Sequence, residues 1–174
     1  MSVLITEIPR VSLLQNYVVN NNYVDCLSIV VDGDYSCKEF VRAFYTSWFF
    51  KLERLFITFT VLKPSTDKQL EQLLKGERQK FSAWSVEKNT DDQWIMCDFL
   101  SKTRSWFMVT PLKTDTGIKT QLYFGTVIVA SAKDKSGKSK LTLFFKLLLI
   151  FHKWYAARLL KAAQLNLTRN SRKP

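Results

Sequence analysis

The chain contains a single histidine, His152. One imidazole cannot build a zinc site, and no second ligand is spaced to complete one. Its three cysteines, Cys26, Cys37 and Cys97, are an odd number and lack metal-ligand spacing. They read as buried or half-buried thiols in a reducing compartment. No metal and no cofactor is therefore expected. Glycine and proline are scarce, at 5 and 4 residues, which excludes a loop-rich or disordered chain. There is no low-complexity segment and no internal repeat. GxSxG, the P-loop and the Rossmann glycine pattern are all absent, and no Ser or Cys sits in a recognisable nucleophile motif. The N-terminal stretch MSVLITEIPRVSLL lacks a basic region before an apolar core and carries Glu7 and Pro9. It does not read as a signal peptide, so a cytoplasmic location is expected. The longest greasy run, Leu141–Phe151, is broken by Lys146 and stops at His152 and Lys153. A membrane span needs about 20 mostly apolar residues.

Acidic residues are also few: 15 Asp and Glu against 26 Lys and Arg give a net charge of +11. Part of the excess is local, at Lys133, Lys135, Lys138 and Lys140 and again at Arg169, Arg172 and Lys173. A basic loop beside a greasy segment reads either as a solvated turn or as a contact for an anionic membrane surface. Nucleic acid is not an expected partner, because no known binding motif occurs and the aromatics fall in core-like patterns. Nothing in these patterns sets an oligomeric state.

What the chain has in quantity is apolar and aromatic residues, 47% and 14%. They concentrate in Ser139–Gln164, which holds neither Gly nor Pro and is rich in the good helix formers Leu and Ala. Leu141, Phe144, Phe145, Leu148, His152, Tyr155, Leu159 and Ala163 share one face, with Thr142, Lys146, Lys153, Lys161 and Gln164 opposite. Such a helix is about 39 Å long, enough to cross a small domain.

Ahead of it, Tyr23–Val31 is β-branched and aromatic and reads as a strand. Ser36 with Glu39 forms a capping box. Val41, Phe44, Tyr45, Trp48, Leu52, Leu55, Phe56 and Phe59 then fall on one side of a helical pattern. A break near Ser47 divides it into Cys37–Thr46 and Trp48–Val61, and Lys63-Pro64 closes it. A short helix, Asp67–Leu74, is capped by Ser65-Thr66-Asp67 and ended by Gly76. Four strand-like segments follow: Lys80–Lys88, Gln93–Leu100, Arg104–Leu112 and Thr120–Ser131. Short turns make such neighbours antiparallel. The order is strand, helices, meander, long helix. It implies an α+β fold in one domain, 1–174, with its core at 23–164, an extension at 1–22 and a basic tail at 165–174. A curved sheet wrapped around the long helix buries the greasy arc and leaves a space that suits a small ligand.

FKLERLF (Phe50–Phe56), LLKGERQKFSAWSVE (Leu73–Glu87), DFLSKTRSWF (Asp98–Phe107), LYFGTVIV (Leu122–Val129) and FHKWYAARLLKAA (Phe151–Ala163), together with the element order over about 23–164, resemble a bacterial branch of the START and birch-pollen-allergen-like (SRPBCC) helix-grip superfamily. The resemblance implies a helix-grip fold. It also implies binding of a lipid or polyketide-like molecule, or cyclisation of one. The meander here is shorter than in typical members.

The candidate ligand-binding residues are Trp84, Trp94, Arg104, Trp106, Phe124, Leu148, His152 and Tyr155. His152 reads as a polar anchor or proton-transfer group in the cavity, or as a hydrogen-bonded core histidine. Trp84, Trp94 and Trp106 lie on successive strands and line a pocket if they share a face. One residue of register slip moves each to the other face, and Phe124 and Met108 have the same ambiguity. Arg104 reads as a carboxylate clamp or as a tie to Asp98 or Glu53. Glu53-Arg54 either reaches solvent or fixes its helix by a salt bridge. No catalytic residue is assigned. The expected function is binding of a hydrophobic small molecule between sheet and helix. A cyclase or dehydratase instead requires His152 or Glu53 in the cavity with a shifted pKa. A membrane-surface interaction protein is the third reading.

Overall fold

A computed structural model describes residues 2–19, 22–61, 65–115, 117–129 and 143–170; the side chains at 53, 56–61, 143–153 and 170 lie outside that description. Among the described residues the fold is α+β, built on a seven-stranded antiparallel sheet. The strands are β1 (Leu4–Ile5), β2 (Tyr23–Asp32), β3 (Lys80–Phe81), β4 (Trp84–Asn89), β5 (Gln93–Asp98), β6 (Thr103–Thr114) and β7 (Gly117–Ile128). Their order is β1-β2-β7-β6-β5-β4-β3, with both edges open. The helices are α1 (Gln15–Val18), α2 (Cys37–Tyr45), α3 (Trp48–Val61), α4 (Asp67–Leu74) and α5 (Leu143–Asn170).

Local chemistry sets the helix ends. The Ser36 hydroxyl accepts from the Glu39 amide at 3.3 Å, and the Ser36 amide donates to the Glu39 carboxylate at 2.8 Å. Thr66 and Gln69 form a second such box at the start of α4. Ser47 separates α2 from α3: its hydroxyl donates to the Phe44 carbonyl and accepts from the Phe50 amide. Gly76, just beyond α4, has φ +82°, the left-handed conformation a helix stop needs. The segment read as one strand from Lys80 to Lys88 is in fact a tight hairpin. Ser82 takes φ 54° and Phe81 pairs with Trp84.

Period-two alternation assigns the sheet residues to two faces. On the front lie Leu27, Ile29, Trp94, Met96, Phe107 and Phe124, packed under α2, α3, α4 and α5. This core is aromatic. The Phe44 ring stands 4.9 Å from Phe107 and 4.8 Å from Phe124, and the Tyr45 ring 4.6 Å from Phe50. α5 packs on α2, on β2 and on α3, burying Ala156, Leu159, Leu160, Ala163 and Leu167.

On the back lie Cys26, Ile95, Trp106, Met108 and Val127. Part of the N-terminal stretch read from sequence only as an extension, from Ile8 to Tyr17, covers this face. Leu14 is fully buried against it, and buried Gln93 holds the segment by accepting from the Leu13 amide and donating to the Val11 carbonyl. The segment sits so close because Gly125 lies under it. A Cβ there would come within 2.6 Å of Leu14 Cδ1 and 2.9 Å of the Trp106 ring.

The stretch read as a tail from 165 is helical to Asn170, with Leu167 buried and Asn166 donating to Ala43 and Thr46. The lysines at 133, 135, 138 and 140, and Arg172 and Lys173, lie outside the described residues. No described helix is long and apolar enough to cross a membrane.

Candidate functional site

The register divides the sequence-predicted site between the two faces. Trp84, Trp94 and Phe124 are on the front. Trp106 is on the back, paired with Gly125 and Ile95, and its indole N–H donates to Gln93 at 3.0 Å. The three tryptophans therefore do not share a face. Arg104 is two residues from Trp106 and is also on the back, where it donates to Glu87 at 3.1 Å and stacks over Tyr17. Tyr17 hydrogen-bonds the same Glu87 carboxylate. Arg104 thus fastens the N-terminal segment to the sheet through Glu87, not through Asp98. Asp98 instead accepts from the Lys102 and Thr103 amides and closes the turn between β5 and β6. Neither Trp106 nor Arg104 can line a space between the sheet and α5. Met108 likewise faces back.

The front-face candidates act as core. Trp84 packs 5.4 Å from Phe50, and Phe124 packs on Phe44 and Phe107. Trp94 is 2% exposed, and its indole N–H has no hydrogen-bond partner among the described residues. It lines a small cleft of about 90 Å³ with Lys38, Arg78 and Asn89. Tyr155 is half-buried, its ring 5.3 Å from that of Phe49. The side chains of Leu148, His152 and Glu53 lie outside the described residues.

Arg54 is buried and structural. It reaches Asp67 at 2.6 Å, donates to Ser65 and lies over the Phe81 ring, tying α3 to the start of α4. Burial acts to raise the Asp67 carboxyl, but hydrogen bonds from Arg54 and Lys51 outweigh it and hold the pKa below its usual value. Hydrogen bonds from Arg42 do the same for Glu71. Burial pushes the Cys26 thiol up to about 11, and Cys37 and Cys97 move in the same direction. All three are protonated at neutral pH, so none is an activated nucleophile. The described residues hold no group of His, Cys, Asp and Glu able to ligate a metal.

A larger concave surface than the Trp94 cleft lies elsewhere, between α3 and α5. Two adjoining hollows of about 530 and 380 Å³ share Trp48, Ala162 and Leu165. Phe49 and Trp154 add apolar walls, and Lys51, Arg158, Lys161 and Arg169 bring cations. None of the described lining residues is acidic. The Arg158 guanidinium lies over the Trp154 ring at 5.2 Å, and Lys51 pairs with Asp67 at 3.1 Å. Trp48 is 65% exposed, Trp154 51% and Leu165 54%. Large apolar side chains so exposed and so close together form a candidate binding surface.

Sequence reasoning missed this groove because it grouped Trp48, Leu52 and Leu55 with Val41, Phe44 and Tyr45 on one side of a helical pattern. Trp48, Leu52 and Leu55 all face solvent, while Phe50 and Arg54 point in. The signal that could have found it is the second apolar side of α5, at Trp154 and Leu165, interleaved with Arg158, Lys161 and Arg169.

Comparison with family models, with curated proteins and with solved structures finds no match to this chain.

Proposed function

We propose that the protein binds a hydrophobic small molecule with an anionic head, a lipid or polyketide-like compound, and that its fold is of the helix-grip type. One observation carries the reading: the groove between α3 and α5 joins Trp48, Phe49, Trp154 and Leu165 to four cationic side chains, with no acid among its described lining residues. An apolar wall holds a chain or ring system, and the cations attract a carboxylate or phosphate, the Arg side chains bidentately. Phe49 and Tyr155 stack where the groove meets the core. The helix-grip assignment draws on the resemblance noted above and on α5 lying over β2 beside α2. The seat differs from that expected from sequence, because aromatic rings fill the space under the described half of α5.

Titration with a fluorescent fatty-acid probe, kept below its micelle concentration, tests this. Saturable binding is expected, weakened by Trp154→Ala and by Arg158→Gln. Loss of probe on His152→Ala with an unchanged melting temperature would return the seat to the one expected from sequence. If wild-type protein gives no saturable signal, the binding reading is wrong.

A further inference from the structure

We propose that the α3–α5 face docks on an anionic phospholipid bilayer. This rests on the reading above, in that the same groove and the same cations are used, and it names the surface from which the ligand is taken. The apolar contribution is a row on α3, Trp48, Leu52 and Leu55, exposed by 65%, 57% and 55%, continued on α5 by Trp154 and Leu165. These residues fall at helical spacing along each helix, so each row forms a ridge. Such a ridge left in water is a contact surface awaiting a partner.

The cations decide which partner. Lys51, Arg158, Lys161 and Arg169 surround the apolar residues. A second copy docking by two-fold symmetry would bring like charges against like, which disfavours self-association. An anionic bilayer complements both components. Indole rings sit at headgroup depth, and Lys and Arg stems lie along apolar surface with their charges at the phosphates. The chain's overall charge of +11 points the same way. The sequence of the rest of α3, FITFTV, and of the start of α5, LFFKLLLIF, adds further apolar residues to both helices. No described helix is both long and apolar enough to cross a membrane, and the contact proposed is peripheral.

The test is sedimentation of the full chain with vesicles of phosphatidylcholine alone or mixed with phosphatidylserine. Binding to the anionic vesicles is expected, falling with salt. Each of Arg158→Gln, Lys161→Gln and Arg169→Gln should lower partitioning about fivefold, since a cation near such a surface contributes about 1 kcal/mol. Trp48→Ser with Trp154→Ser should lower it by roughly tenfold or more, because affinity follows buried apolar area. A control, Lys88→Gln, Lys102→Gln and Lys113→Gln, removes three exposed charges elsewhere and should retain most of the binding. Equal loss in the control and in a chain carrying Arg158→Gln, Lys161→Gln and Arg169→Gln together would reduce the effect to net charge and overturn the proposal. So would equal sedimentation with neutral and anionic vesicles, or a solution dimer dissolved by Trp48→Ser. Probe binding without vesicle binding overturns docking and leaves ligand binding standing; the reverse result overturns only the ligand.

Discussion

Gly125→Ala tests the packing of the N-terminal segment on the back of the sheet. Gly125 sits within β7, opposite Cys26 on β2 and Trp106 on β6. Its backbone does not require glycine, so the substitution gains about 0.5–1 kcal/mol from reduced freedom of the unfolded chain. Against this stands the added methyl. It would meet Leu14 Cδ1 at 2.6 Å, the Trp106 ring at 2.9 Å and the Asp25 carbonyl oxygen at 3.0 Å. Leu14 can change rotamer. The Trp106 ring is held by Gln93 at 3.0 Å, and the Asp25 oxygen is backbone of the paired strand. Relief therefore falls on Leu14 and the segment it anchors. Overpacking costs about 1–3 kcal/mol, and three contacts at or under 3.0 Å put this case in the upper half of that range, so a net loss of about 1–2 kcal/mol is expected. In a chain of this size that lowers the melting temperature by roughly 2–8 °C. Leu14→Ala alone should cost about 2–5 kcal/mol. Truncating Leu14 removes the closest of the three contacts and leaves those to Trp106 and Asp25, so the double variant should be somewhat more stable than the two single losses predict. Urea unfolding followed by tryptophan fluorescence measures all three. A Gly125→Ala protein as stable as wild type, or strict additivity with Leu14→Ala, would refute the close docking of residues 2–19.

Ser36→Ala removes the acceptor for the Glu39 amide and should destabilise by about 0.5–2 kcal/mol, a loss that an unchanged melting temperature would contradict. The depressed carboxyls predict the acid limb of stability. Asp67 and Glu71 have folded pKa values below their unfolded ones, so their pairing with Arg54 and Arg42 stabilises at neutral pH. That contribution is lost as pH falls below about 4, where unfolded carboxyls begin to protonate. Asp67→Asn should flatten the decline of melting temperature with acid, and an identical acid profile in the variant would show that the pair contributes nothing.

Much of the architecture was legible because it is written in short-range chemistry. The capping box at Ser36, the cap within Ser65-Thr66-Asp67, the break at Ser47 and the stop at Gly76 each depend on a few adjacent residues, and all are present. The meander follows from strands joined by tight turns. What was not legible is relational. Trp84, Trp94 and Trp106 carry identical chemistry, yet register alone sends Trp106 to the back. The segment at 2–19 shows no periodicity, because α1 is four residues long and β1 two. It docks through Leu14 and Gln93, whose contact spans some eighty residues of sequence.

The outward stripe of α3 has a physical cause that bears on function. An amphipathic helix normally turns its apolar side inward, yet Trp48, Leu52 and Leu55 face solvent. That helix has two apolar sides, and the inward position is taken by Phe50, which meets Phe44, Tyr45 and Trp84. Arg54 follows Phe50 inward because Ser65 and Asp67 satisfy its guanidinium and Phe81 lies beneath it. A buried arginine so completely engaged fixes the rotation of the helix about its axis. Rotating α3 to hide Trp48 would expose Phe50 and strip Arg54 of its partners, leaving a charge buried or the salt bridge broken. The outward row is thus enforced by the inward one, and the groove it borders is part of the folded design.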